Sequence, residues 1–383
     1  MKKKIIKIVV KSFIIILLLS IIAILFYINF KDKLIPKPSD TSNLGVKIGE
    51  KNYNLAIEEI DLTDIGNNGD LIYALGRISK FPGLKKVIIK KKKFSVNMQL
   101  DLEKDYPNIE FEWNVRVLNK KVSNKVKKLD LSNCKVTDLK SFKKSLKLLH
   151  KLKYLDMSDC NLSNGQLAQL RKEFPKVKVV WRIYLGKWSL KTDSVAFSVL
   201  IADFSHRRMT SADIQVLKYC TDLQALDLGH QAITDISVIG KYLPNLRILI
   251  LADNRIRDIS PIAKLKHLHY LELFMNNISD IRPLTKCDEL VDLNLAHIPA
   301  LHDFSPIINH KLPILERLCV QNSGGTSRYL GAIFRTYPKV RIVYKGYGST
   351  HSGWRSHPRY FAMINMFYKR NYISKQFSKY DGK

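Results

Sequence analysis

Two histidines, His206 and His230, each stand three positions after an aspartate, Asp203 and Asp227. On neighbouring strands about 4.8 Å apart the four side chains would offer imidazole and carboxylate, a reasonable zinc donor set. That array is flat where zinc prefers a tetrahedron, and duplication alone puts paired histidines in one column, so neither a metal nor a cofactor is expected. No HExxH, GxSxG, GxxxxGK[ST], dinucleotide glycine fingerprint or calcium-loop series occurs, and no catalytic residue is assigned. The five cysteines, Cys134, Cys160, Cys220, Cys287 and Cys319, form no CxxC pair. Their odd number argues for buried thiols over a disulfide framework.

The elements that would position these residues repeat. LQALDLGHQAI at Leu223–Ile233, LRILILADNRI at Leu246–Ile256 and LHYLELFMNNI at Leu268–Ile278 share apolar residues at their first, fourth, sixth and eleventh positions. This LxxLxLxxNxI pattern resembles the leucine-rich repeat family, in particular its short internalin-like bacterial type. The resemblance implies an α/β solenoid: a curved parallel sheet on the concave face, with helical or 3₁₀ return segments. Upstream, VLIADFSHRRM at Val199–Met209 aligns with Leu223–Ile233, setting Ala202 and Phe204 where Leu226 and Leu228 stand. Further units start at Ile57, Leu84, Val126, Leu152, Leu290 and Leu315, so the pattern spans Ile57–Tyr344. Cys134 and Cys160 occupy the place where the family usually carries its turn asparagine. A longer rhythm overlies the units: Tyr106–Pro107, Phe174–Pro175 and Tyr337–Pro338 each lead into alternating apolar residues, the period of a strand. The blocks Ile57–Leu118 and Val126–Leu190 read as duplicates.

In that family, side chains pointing outward from the strands meet the partner. Carried onto this chain, they are Asp203, Asp227, Glu272 and Asn294 in the central column, flanked by Tyr270 and Phe274, with His206, His230, Asp253, Met275 and His297 at the turn beyond. Tyr270, Phe274 and Met275 would supply an apolar anchor within a polar rim, the usual composition of a protein-binding surface.

Charge divides the chain. Leu84–Lys191 holds 27 Lys and Arg against 10 Asp and Glu, whereas Val199–Ser305 holds 11 against 13, within a net charge of +30. No nucleic-acid module is present, and nucleic acid is not expected as a partner. Lys90, Lys91, Lys92 and Lys93 form a dense point that would suit anionic wall polymer or lipid headgroups, although a lysine-rich composition can also arise without function. Ahead of these, Phe13–Phe30 carries no charge and follows five lysines within Met1–Lys11. Eighteen helical residues span about 27 Å, and the basic flank places the N-terminus inside the cell. No small-x-small cleavage pattern follows. The expected organisation is an anchor at 1–30, a linker at 31–50, a repeat ectodomain at 51–345 (irregular and basic over 51–191, regular over 199–345) and a tail at 346–383. That tail sets Trp354, Tyr360, Phe361, Ile364, Phe367 and Tyr368 at helical spacing around Pro358, fitting either a cap or a docking segment. The expectation is a single-pass membrane protein that binds an unidentified protein ligand through its concave face at the bacterial cell surface. The alternatives are a structural envelope protein that binds polymer through its basic half, and a hydrolase or metal protein on the concave face.

Overall fold

The computed structural model describes residues 45–48, 51–66, 68–90, 94–199, 208–346 and 353–372. The chain divides into two compact units, Met1–Lys127 with Thr137–Leu152, and Lys128–Val136 with Lys153–Lys383. Among the described residues no helix is long and apolar enough to cross a membrane. The run Phe13–Phe30 lies outside them.

In the first unit, strands β1 (Gly45–Ile48) and β2 (Lys51–Asn54) form a hairpin. β3 (Glu59–Asp61), β4 (Lys86–Ile89) and β5 (Glu110–Val117) are parallel, and β6 (Lys120–Ser123) returns antiparallel to β5. Helices α1 (Asn68–Leu75), α2 (Val96–Asp105) and α3 (Leu139–Lys147) complete it. Ser95 caps α2 by accepting from the Met98 amide, and Asp138 caps α3 through the amides of Lys140 and Ser141. Alternation along β5 turns Phe111, Trp113, Val115 and Val117 inward.

The second unit begins with three parallel strands, β7 (Lys128–Asp130), β8 (Tyr154–Asp156) and β9 (Lys178–Val180), and the hairpin of β10 (Arg182–Leu185) with β11 (Trp188–Lys191). A seven-stranded parallel sheet follows: β12 (Ala196–Ser198), β13 (Ala225–Asp227), β14 (Ile248–Ile250), β15 (Tyr270–Glu272), β16 (Asp292–Asn294), β17 (Arg317–Cys319) and β18 (Arg341–Val343). Each coil contributes one strand, and the return segments are α4 (Asn164–Glu173), a 3₁₀ segment at Asp213–Tyr219, α5 (Ser237–Tyr242), 3₁₀ turns at Ser260–Lys264 and Arg282–Lys286, α6 (Ser305–Asn309) and α7 (Thr326–Thr336). Pro261 and Pro283 open the 3₁₀ turns, where the missing amide costs no bond. Leu226, Leu249, Leu271, Leu293 and Leu318 stack in register, all fully buried. Each such burial is worth about 1.5–3 kcal/mol, and only a neighbouring coil can provide it. Asn254 and Asn276 bind backbone inside the turns: Asn254 accepts from the Ile233 amide and donates to the carbonyls of Leu228 and Leu251. Cys134, in the corresponding place, is buried, while Cys160 is half-buried.

The two blocks share their details. Ser163 caps α4 as Ser95 caps α2. Phe174 and Tyr106 end those helices with nearly the same backbone angles, as does Tyr337 at the end of α7. The Trp113 amide donates to Asn124 Oδ1, and the Trp181 amide donates to Thr192 Oγ1 at the same spacing.

One expected register is corrected. The strand of the coil before Leu223 is Ala196–Ser198, with Phe197 beside Leu226 and Ser198 beside Asp227. The alignment through Ala202 and Asp203 therefore sits too far along the chain. Phe197 and Val199 fill the inward sites, which Ala202 would leave short of volume. The alignment recovers at Met209, whose carbonyl accepts from the Ala232 amide. The coil thus carries an insertion between its strand and Met209. Asp203 and His206 fall within 200–207, outside the described residues.

Candidate binding face

The outward residues of β13 to β17 form the columns Asp227–Ile250–Glu272–Asn294–Cys319 and Ala225–Ile248–Tyr270–Asp292–Arg317. They do not face solvent. Helix α8 (Pro358–Tyr368) and the turn before it lie over them. Trp354, Met363, Met366 and Phe367 join Ile248, Ile250, Tyr270, Phe274, Cys319 and Val343 in one buried cluster. Asp227, Tyr270, Glu272 and Asn294 are 0 % exposed and Phe274 1 %. The tail is therefore both a cap and a docked segment, and its docking place is the chain's own concave face.

Polar chemistry holds this contact in place. The Arg317 guanidinium makes a two-pronged bond to Asp292, at 2.7 Å to each oxygen, and donates to the Trp354 carbonyl at 3.0 Å. It also lies 4.4 Å from the Trp354 ring centre, a cation–π contact. Arg359 reaches Asp292 at 2.6 Å and also binds Glu316. The Trp354 indole donates to Glu272 at 2.7 Å and lies 3.1 Å from the Tyr270 hydroxyl, which itself donates to Glu272. Glu272 Oε2 has no hydrogen-bond partner among the described residues. Asp227 accepts from Ser198 Oγ at 2.7 Å and from the Gly229 amide at 2.9 Å. Its carboxyl is nevertheless pushed up to about 6, chiefly by burial. His357 accepts from the Arg359 amide at the start of α8. Burial first, then the Arg317 and Arg359 charges, press its imidazole down to about 4.

His230, Asp253, Met275 and His297 line a different feature, the turn after each strand, where all four adopt positive φ between 49° and 59°. Asp and His tolerate this region, and methionine rarely does. Met275 is 46 % exposed, the one apolar residue of the expected anchor that solvent reaches. His230 is bonded to Asp253 at 2.9 Å, and no group of three or more His, Cys, Asp or Glu among the described residues is placed to hold a metal.

Of the lysine run, Lys90 pairs with Glu112 at 2.8 Å, and Lys91, Lys92 and Lys93 lie outside the described residues. Bonds from Lys125 and Lys90 hold the Glu112 carboxyl down at about 2. Sequence reasoning missed a cleft of about 390 Å³ in the first unit, lined in part by Phe94, Val96, Phe142, Arg116 and Lys121. These two cations stand directly opposite each other on β5 and β6. It also missed Glu316, Arg317 and Arg359. The available signal was arginine in a tail whose acids are absent up to Asp381, with unpaired carboxylates in the repeat columns.

Leucine-rich-repeat family models match the chain in three places: a two-copy model over residues 244–286 and single-repeat models over 151–172 and 122–139. No curated protein matches in sequence. Among solved structures, an internalin of Listeria monocytogenes is similar at 20 % identity, covering 72 % of this chain and 73 % of its own, with a TM-score of 0.33. Internalin C2 of the same species gives 19 %, 61 %, 81 % and 0.29. A leucine-rich-repeat protein of Leptospira interrogans gives 18 %, 70 %, 74 % and 0.33.

Proposed function

We propose that this leucine-rich-repeat solenoid is a non-enzymatic binding protein of the bacterial cell surface, and that the concave face of its seven-stranded sheet is where a protein partner docks. One observation carries the reading. Outward columns containing Asp227, Tyr270, Glu272, Asp292 and Arg317 form a polar, aromatic surface of the kind that selects a partner, whereas the inward columns are apolar throughout. The uncharged run Phe13–Phe30 behind its lysines supports a single span with the N-terminus in the cytoplasm and the repeats outside. Retention of the full-length chain in carbonate-washed membranes is the expected result. A soluble form beginning near residue 30 would instead show cleavage.

A photoreactive residue in place of the exposed Met275, at the rim of the face, tests the partner reading in intact envelopes. The expected product is a discrete protein adduct. The same probe in place of Lys90 examines the basic unit, where wall polymer or lipid is the competing ligand. Adducts at position 90 alone would move the binding surface away from the concave face.

A further inference from the structure

We infer that the segment Gly353–Tyr372 is an internal ligand of the concave face, and that the partner this face accepts is an amphipathic helix with an arginine and, one and two turns on, methionine and phenylalanine along one side. This inference rests on the concave-face reading above and specifies its partner.

The contact is that of a helix in a groove. Arg359, Met363, Met366 and Phe367 follow the i, i+4, i+7, i+8 spacing of one helix face, and all four are buried against the sheet. Phe361 and Tyr368, on the other side, are 61 % and 66 % exposed. Recognition is divided by chemistry. Asp292 and Glu316 take the guanidinium, Glu272 takes an indole N–H, and Ile248, Ile250 and Phe274 receive the apolar side chains. A partner must offer the same groups in the same order.

The composition of the covered surface argues that the segment can leave. The covered contact mixes apolar side chains such as Ile248, Ile250, Phe274 and Val343 with buried charges, whereas the inward columns are apolar throughout. Here Asp227, Glu272, Asp292, Arg317 and Arg359 are all withdrawn from water, with Glu272 Oε2 left unpaired among the described residues. Buried ion pairs return little net stability, because hydration lost by each ion offsets their attraction. On an open sheet these charges would regain their hydration, which offsets part of the cost of uncovering Ile248, Ile250 and Phe274. Tethering meanwhile gives the segment an effective concentration on the order of millimolar, so a partner of equal intrinsic affinity is kept out until the segment is weakened.

The test uses the full-length chain and a labelled peptide of the sequence Gly353–Tyr372. In a Trp354→Ala/Arg359→Ala variant the tethered segment is weakened while every sheet residue is kept. The peptide is expected to bind this variant about tenfold or more tighter than the unaltered chain, and a peptide carrying Arg359→Glu is expected not to bind. Thiol labelling of Cys319, which lies under the segment, and of Cys287, in the solenoid interior, reports whether the variant has opened and stayed folded. Labelled Cys319 with protected Cys287 and no peptide binding would overturn the helical partner while leaving the concave face open to another. Protected Cys319 would show the segment to be a fixed part of the core, and both readings would fall.

Discussion

Replacing Asp292 by alanine is expected to cost about 3–5 kcal/mol of closure free energy, the usual penalty for removing one partner of a buried ion pair. The loss should appear as release of α8 and not as unfolding of the coils. Asp292 is bound by both Arg317 and Arg359, so its removal takes a carboxylate from two guanidinium groups in a dry interface. Unfolding the array would hydrate them only by exposing the leucine stack. Lifting α8 hydrates them directly, and that cheaper route limits the damage. Hydrogen exchange checks this: in Asp292→Ala the amides of residues 362–368 should lose protection while those of Ile248–Ile250 keep theirs. Equal loss in both places would mean that α8 and the coils form one cooperative core.

Asp227→Asn is expected to strengthen closure at pH 7.5 by up to about 3 kcal/mol, the free energy of a two-unit shift. Burial raises this carboxyl from 3.8 to about 6, so the closed state binds its proton more tightly than the open one. Its contribution is fully present below the ordinary carboxylate value and is lost as pH rises through about 6. Asparagine keeps both hydrogen bonds, because its carbonyl can accept from Gly229 while its amide donates to Ser198. Glu272, Arg355 and Tyr360 are the other ionisable groups facing this site. His357 acts in the opposite sense. With its imidazole held down near 4, closure loses stability as pH falls from 6.5 towards 4, since protonation removes the acceptor that caps α8. Wild-type closure should therefore change little between pH 7.5 and 5, and Asp227→Asn should expose a weakening on acidification. A variant whose closure is pH-independent over that range would show that neither group is linked to it.

The solenoid was legible because its signal is local and repeated. The leucines of Leu223–Ile233, Leu246–Ile256 and Leu268–Ile278 give the strand, its inward face and the coil length together. The blocks were legible through their aromatic–proline ends. The coil at β12 was not, because Ala202–Asp203–Phe204 imitates the strand pattern while Ala196–Phe197–Ser198 fills the larger inward site. From Asp227 onward the outward columns fall where the repeat puts them, yet nothing in them says what covers them. Arg359 meets Asp292 across a long separation in sequence, and no periodicity encodes that pairing. The tail's aromatic spacing announced a helix but not its docking place. Met275 shows a third limit, since its left-handed turn depends on backbone geometry that the LxxLxLxxNxI pattern leaves to other residue types.

Alkylation of Cys319 addresses most directly whether the concave face is occupied by the chain's own helix and can be freed. This thiol lies on the outward column beside Asn294, is 1 % exposed, and burial holds it up at about 12. Half-buried Cys160 and fully buried Cys287 provide native references in the same molecule. With labelling mapped by mass spectrometry, Cys319 should be as slow as Cys287 in the unaltered chain and should approach Cys160 in Asp292→Ala, with Cys287 still protected. Cys319 reacting as fast as Cys160 in the unaltered chain would show the face already open, and Cys319 and Cys287 gaining reactivity together would show unfolding in place of release.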